Sequence, residues 1–146
     1  MSAKLVLDMA AMQEDFFADT ALIGIVSALP VYRFSWLLNR KFDLNFSREA
    51  DLDVVVRSSK GHQYYFPVYQ YCLPLNGYKH LLYRLKSDKE TLLPEVKQLD
   101  YLWMIQSSTA DEEAQQIIQH LRNIGEVQLA QLLSHDRLKN LSSLLL

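Results

Sequence analysis

Cysteine is almost absent. Cys72 is the only one in 146 residues, which excludes an internal disulfide and any cysteine-built metal cluster. A chain of this size without disulfides is expected in a reducing, cytoplasmic setting. Glycine and proline are also scarce, at four residues each, and no GxGxxG or Walker-type loop occurs, so nucleotide cofactors cradled by such loops are not expected. No excess of one charge exists: the formal net charge is −2 and the pI about 6.1. Global attraction to nucleic acid or to an anionic membrane surface is therefore missing. The longest apolar run, residues 21–30, is interrupted by Ser27 and falls far short of the ~20 residues of a membrane span. Residues 1–8 reach their first acid, Asp8, without an apolar core, unlike a secretory leader. His62, His80, His120 and His135 share no ligand spacing such as HExxH, so neither a metal nor another cofactor is expected.

What is present is the composition of an ordered core. Hydrophobic residues make up 49% and charged residues 22% of the chain, close to the globular average and unlike a disordered segment. A length of 146 residues suits one domain, 1–146, burying roughly 70% of its unfolded surface.

Periodicity then sets the order of elements. Residues 4–7 could form a short edge strand, and Met9, Met12 and Phe16 fall at helical spacing. Ala21-Leu22-Ile23-Gly24-Ile25-Val26 is continuously apolar, as in a strand covered on both faces. Ser27 offers an N-cap oxygen and Pro30 fits a first helical turn. Val31, Phe34, Leu37, Leu38 and Phe42 then recur at helical steps, with Arg33, Asn39 and Arg40 mostly opposite, giving an amphipathic helix over about 28–41. From Leu44 to Val56 the period is two, the sign of a sheet with one buried and one wet face. One strand of that length would exceed ~40 Å at ~3.3 Å per residue, so a break near residues 48–51 is expected. Tyr64 to Tyr71 is an edge or bulged strand because Pro67 cannot donate. Asn76-Gly77 is a hairpin turn returning into 79–86, and 87–90 is a polar loop. Residues 100–106 form the next strand. Thr109 and Glu112 have the spacing of a capping box. The helix that follows, about 110–124, buries Ala114, Ile117, Ile118, Leu121 and Ile124 and ends before Gly125. The composition of 126–145 suits strand or helix; a strand at 127–133 is preferred because it completes a strand–helix–strand unit. The expected fold class is α+β, a ferredoxin-like or ACT-like sandwich: a mostly antiparallel sheet packed by two amphipathic helices.

The segment Leu93-Pro94-Glu95-Val96-Lys97-Gln98-Leu99-Asp100-Tyr101 resembles the IPExxxVDY family of small bacterial proteins. Leu93 stands for Ile and Leu99 for Val, while Pro94, Glu95, Asp100 and Tyr101 agree with the pattern. Leu22-Ile23-Gly24-Ile25, Tyr32-Arg33 and the run from Leu138 to Leu146 extend the likeness over most of the chain. The family takes its name from a sequence pattern, so the resemblance implies no catalytic residue.

Two acids and a phenol, Glu95, Asp100 and Tyr101, have the chemistry of a general acid–base set. A turn at Pro94 feeding a strand at Asp100 explains them more economically, since it needs only local residues. Cys72 and His80 could form a nucleophile–base pair across the hairpin, but a lone cysteine is more often a small buried hydrophobe. All tyrosines except Tyr32 lie between residues 64 and 101. Tyr65, Tyr69 and Tyr71 share a parity, and with Tyr83 and Arg84 they form the candidate interaction surface. Such rings suit a protein interface, stacking on single-stranded RNA, or plain coverage of the sheet. The expected function is a non-catalytic protein-interaction or regulatory module, self-associating or with a protein partner. The alternatives are a small-ligand sensor of the ACT type and a weak RNA binder.

Overall fold

A computed structural model describes residues 19–57, 60–72, 78–87, 90–92 and 96–133. The proposals for residues 4–18, for the Asn76-Gly77 turn, for Leu93, Pro94 and Glu95, and for the tail after Leu133 lie outside them. The described residues are α+β, with a mostly antiparallel six-stranded sheet and two helices.

In chain order the elements are β1 (Thr20–Val26), α1 (Val31–Phe42), β2 (Ser47–Arg48), a 3-10 turn (Ala50–Leu52), β3 (Val54–Arg57), β4 (Gln63–Phe66), β5 (Val68–Cys72), β6 (Lys79–Arg84), β7 (Lys86–Ser87), β8 (Glu90–Thr91), β9 (Tyr101–Gln106), α2 (Ala110–Leu121) and β10 (Leu129–Leu133). The main sheet runs β10-β1-β9-β6-β5-β2, with β3–β4 and β7–β8 as separate two-stranded ribbons. β1 pairs antiparallel with both β9 and β10, so the β9–α2–β10 crossover straddles it. The strand expected at 127–133 is therefore present as β10 and lies at one edge of the sheet.

β1 reads as a continuous apolar run because both of its faces are covered. Ala21, Ile23 and Ile25 join Phe34 and Leu38 of α1, Tyr101, Trp103 and Ile105 of β9, and Ala114, Ile118 and Leu121 of α2. Both helices thus sit on one face. On the other face Leu22, Leu102, Met104, Leu81 and Tyr83 meet Phe66, Leu85, Leu92, Val96 and Leu99, with Val54 and Tyr64 packed alongside. The β3–β4 ribbon together with Leu85, Leu92, Val96 and Leu99 forms this third layer. Gly24 makes room for it: a Cβ there would stand 2.5 Å from Leu99 Cδ1 and 3.2 Å from Leu133 Cδ1.

Several local expectations change. The 44–57 stretch breaks where length demanded, at the 3-10 turn, but Val56, expected to be buried, is exposed. The Tyr64–Tyr71 stretch is two strands. Pro67 ends β4, which pairs with β3, and β5 joins the main sheet. Helix α1 begins at Val31 behind Pro30, with no side-chain cap. Ser27 is not that cap, because the helix starts behind Pro30 and Ser27 Oγ accepts the Leu29 N–H at 3.4 Å, while its hydroxyl donates to the Glu126 carbonyl at 2.8 Å and its N–H to Asp100 Oδ2 at 2.9 Å. The Thr109–Glu112 capping box is also unformed. Instead, Glu113 Oε2 accepts from the Ser107 and Thr109 hydroxyls, while Ser107 Oγ takes the Thr109 N–H. The second helix ends at Leu121, short of the 124 expected, though Ile124 is still buried. No helix among the described residues is long and apolar enough to cross a membrane.

Candidate functional sites

The tyrosines expected to form one surface are dispersed. Tyr83 is 0% exposed and belongs to the core beneath the β3–β4 ribbon. It presents no surface, because its strand position faces the third layer that sequence periodicity did not reveal. Tyr69 and Tyr71 lie half-buried on the helix side of β5. Tyr65 is 54% exposed but belongs to the separate ribbon, where it pairs with Val55 and its hydroxyl donates to Gln63 Oε1 at 2.8 Å. Arg84 lies over the Tyr101 ring with its guanidinium carbon 4.9 Å from the centroid. Its Nη1 is buried without a hydrogen-bond partner among the described residues. Arg48 approaches the Tyr69 ring at 5.9 Å and forms a two-pronged pair with Asp53 at 2.7 and 2.6 Å.

Of the motif residues, Leu99, Asp100 and Tyr101 are described and all are tied into the fold. Leu99 is buried against Gly24. Tyr101 stacks on Phe34 at 4.3 Å, and its hydroxyl donates to the Leu29 carbonyl at 2.5 Å. Burial is the main reason its phenol is pushed up to about 12. Asp100 joins three segments: Oδ2 accepts the Ser27 N–H at 2.9 Å, Oδ1 accepts from Lys86 Nζ at 2.8 Å, and its backbone N–H donates to Ile25. Truncating Asp100 leaves the N–H of buried Ser27 without its acceptor and Lys86 without its counter-ion. Asp100→Ala is therefore expected to cost about 2–3 kcal/mol in denaturant unfolding, since an orphaned buried donor alone costs about 1–3 kcal/mol. Asp100→Asn, which keeps a carbonyl acceptor, should lose less than half as much. Equal losses, or none, would contradict this bridging role.

The Cys72–His80 pair does not form. Tyr71, not Cys72, stands opposite His80 in the β5–β6 ladder, and Cys72 stands opposite Lys79. Side chains alternate faces, so the thiol and the imidazole fall on opposite sides of the sheet. His80 is instead buried beside Trp103, whose indole N–H donates to His80 Nδ1 at 3.0 Å. An indole only donates, so Nδ1 is the acceptor and a neutral imidazole carries its proton on Nε2. Burial lowers the His80 pKa from 6.5, while the Glu113 charge partly opposes that shift. In the unfolded chain His80 protonates first as pH falls. The stability gained from neutral His80 is therefore full above pH 6.5 and is lost as pH drops through the folded-state pKa. Urea unfolding at a series of pH values should show this decline, and His80→Gln should flatten it. An equal slope in both proteins would rule out His80 as its source.

Sequence reasoning missed the most exposed aromatic pair. Tyr32 and Trp36 of α1 are 66% and 57% exposed. One helical turn apart, they share a face, and with Arg33 they line a shallow, largely apolar depression. Arg40 continues the stripe, its guanidinium carbon 4.8 Å from the Trp36 ring centroid. Helix α1 carries Arg33, Arg40 and Lys41 and no acid. The signal was available, because the residues that make α1 amphipathic place Tyr32 and Trp36 away from Phe34 and Leu38. Elsewhere Leu129 and Leu132 are exposed on edge strand β10, whose Ala130 carbonyl accepts from Arg122 Nε at 3.3 Å.

A cleft of about 270 Å³ opens between the end of α1, strands β5 and β6, and α2. Phe42, Leu44, Tyr71, His80, Glu113, Gln116 and Ile117 line it. Among the described residues no three potential metal ligands cluster.

Compared with known proteins, the chain matches no family model, no curated protein and no solved structure.

Proposed function

We propose that this chain is a non-catalytic protein-interaction module, and that α1 presents its docking face to an acidic, amphipathic segment of another protein. The exposed Tyr32–Trp36 pair carries this reading. Large aromatics flanked by arginine are the residues in which binding energy concentrates at protein interfaces. Neither the Tyr32 hydroxyl nor the Trp36 indole N–H has a hydrogen-bond partner among the described residues. Charge selects the partner: three cations and no acid on α1 favour carboxylates opposite them. The sheet itself is covered on both faces, so it offers no open platform for stacked bases, and the net charge of −2 gives RNA no general attraction.

The scaffold in this reading is ferredoxin-like. The order β10-β1-β9-β6, with two helices on one face, supports it: these strands fall in the order fourth, first, third, second of a βαββαβ unit. Strands β2 to β5 would then be additions between the first helix and the second strand. The motif at 93–101 supports membership of the IPExxxVDY family.

Selection from a displayed peptide library tests the docking face. The wild-type protein should enrich acidic peptides with apolar anchors, which Trp36→Ala should no longer retain. Enrichment that ignores Trp36, a homodimer that buries Trp36, or quenching of Trp36 by single-stranded RNA would each replace this partner with another.

A further inference from the structure

We propose that the cleft between α1, β5–β6 and α2 binds a small, unphosphorylated planar heteroaromatic molecule of the aminopyrimidine or aminopurine class. In this site His80 donates to a ring or carbonyl acceptor and Glu113 accepts from the adjacent amino group. The polar side chains define that complement. Trp103 occupies His80 Nδ1, which leaves Nε2–H as the donor His80 can offer, and no described residue accepts from it. Burial favours the neutral imidazole that this tautomer requires. Glu113 Oε2 is taken by the Ser107 and Thr109 hydroxyls, which fix the carboxylate and leave Oε1 unengaged among the described residues. A donor and an acceptor lining the same cleft are the complement of an amino group next to a ring nitrogen or carbonyl.

The remaining walls suit a flat ring. Phe42, Leu44 and Ile117 are apolar and Tyr71 is aromatic, its ring 5.8 Å from that of His80. Among the described residues no lysine or arginine lines the cleft, and Glu113 does, so a phosphate would meet repulsion without compensation from them. A volume of about 270 Å³ is below the usual range for drug-sized ligands, roughly 300–1,000 Å³, and is matched to a single ring system.

The chain has two tryptophans, which makes the test direct. In ¹⁵N-labelled protein the Trp103 indole cross-peak reports on His80, and the Trp36 cross-peak reports on α1. Titration with cytosine and with adenine should shift the Trp103 signal saturably while Trp36 stays in place. AMP should bind more weakly than adenine. Glu113→Gln should weaken binding about ten-fold, the scale of a lost hydrogen bond to a charged group. Ile117→Trp, which fills the cleft and leaves His80 intact, should abolish the shift, with an otherwise native spectrum establishing that it is folded. Failure of both bases to move Trp103 at millimolar concentration would overturn the proposal, as would a shift that survives Ile117→Trp. AMP binding as tightly as adenine would overturn the assigned ligand class.

Discussion

Replacing Trp103 with alanine is expected to remove about 4–5 kcal/mol of folding stability and to lower the melting temperature by about 10–15 °C. Trp103 is 0% exposed at the centre of the helix-side core. Phe42 and Phe46 meet its ring edge-on at 5.6 and 5.4 Å, and His80 lies 5.9 Å away. Large-to-alanine changes at such positions cost about 3–5 kcal/mol, because lost transfer energy adds to an unfilled cavity. Here the indole N–H bond to His80 is lost as well, placing the change at the upper end. A domain of this kind has only about 5–15 kcal/mol to lose. Trp103→Phe should cost less than half as much, because most of the ring volume survives. The measurement is equilibrium unfolding in urea; a loss below about 1 kcal/mol for the alanine variant would place Trp103 outside the core.

The second large effect falls on binding and leaves stability alone. Trp36→Ala should weaken a selected acidic peptide by about 30-fold or more, equivalent to the ~2 kcal/mol of an interface hot spot. Its unfolding free energy should change by no more than about 0.5 kcal/mol, as expected for an exposed residue without tertiary partners. Tyr32→Ala should act in the same direction. Arg33 and Arg40 are both exposed, so added salt should slow association more than it speeds dissociation. Isothermal titration paired with urea unfolding separates the two effects. Parallel losses of affinity and stability would make Trp36 a structural residue.

Much of the fold was legible because periodicity reports burial. The apolar run of β1, the strand at β9 and the stripe of α2 all sit where their sequences imply. The caps were misread because helix α1 starts behind Pro30, past Ser27, and because Glu113, one residue displaced from Glu112, takes the Ser107 and Thr109 hydroxyls. Local spacing holds no record of such displacements. The third layer was invisible for a related reason. Tyr83 and Leu81 alternate with Leu82 as they would in any strand, and only tertiary structure brings Phe66 and Leu99 over them. The Cys72–His80 pair, the less favoured reading of those residues, is excluded by register: a shift of one residue exchanges faces, and Tyr71 takes the place opposite His80. Trp36 is the opposite case, being separable from the buried stripe of α1 on helical geometry alone. An exposed tryptophan among cations stands out only once the remaining aromatics have been assigned to the core.

The docking role of α1 is tested most directly by following the two indole resonances while a selected acidic peptide is titrated into the labelled protein. Trp36 should shift to saturation with the peptide, Trp103 should stay fixed, and the Trp36 response should weaken with added salt. Saturation of the peptide without any change at Trp36 would contradict the assignment of α1 as the binding face.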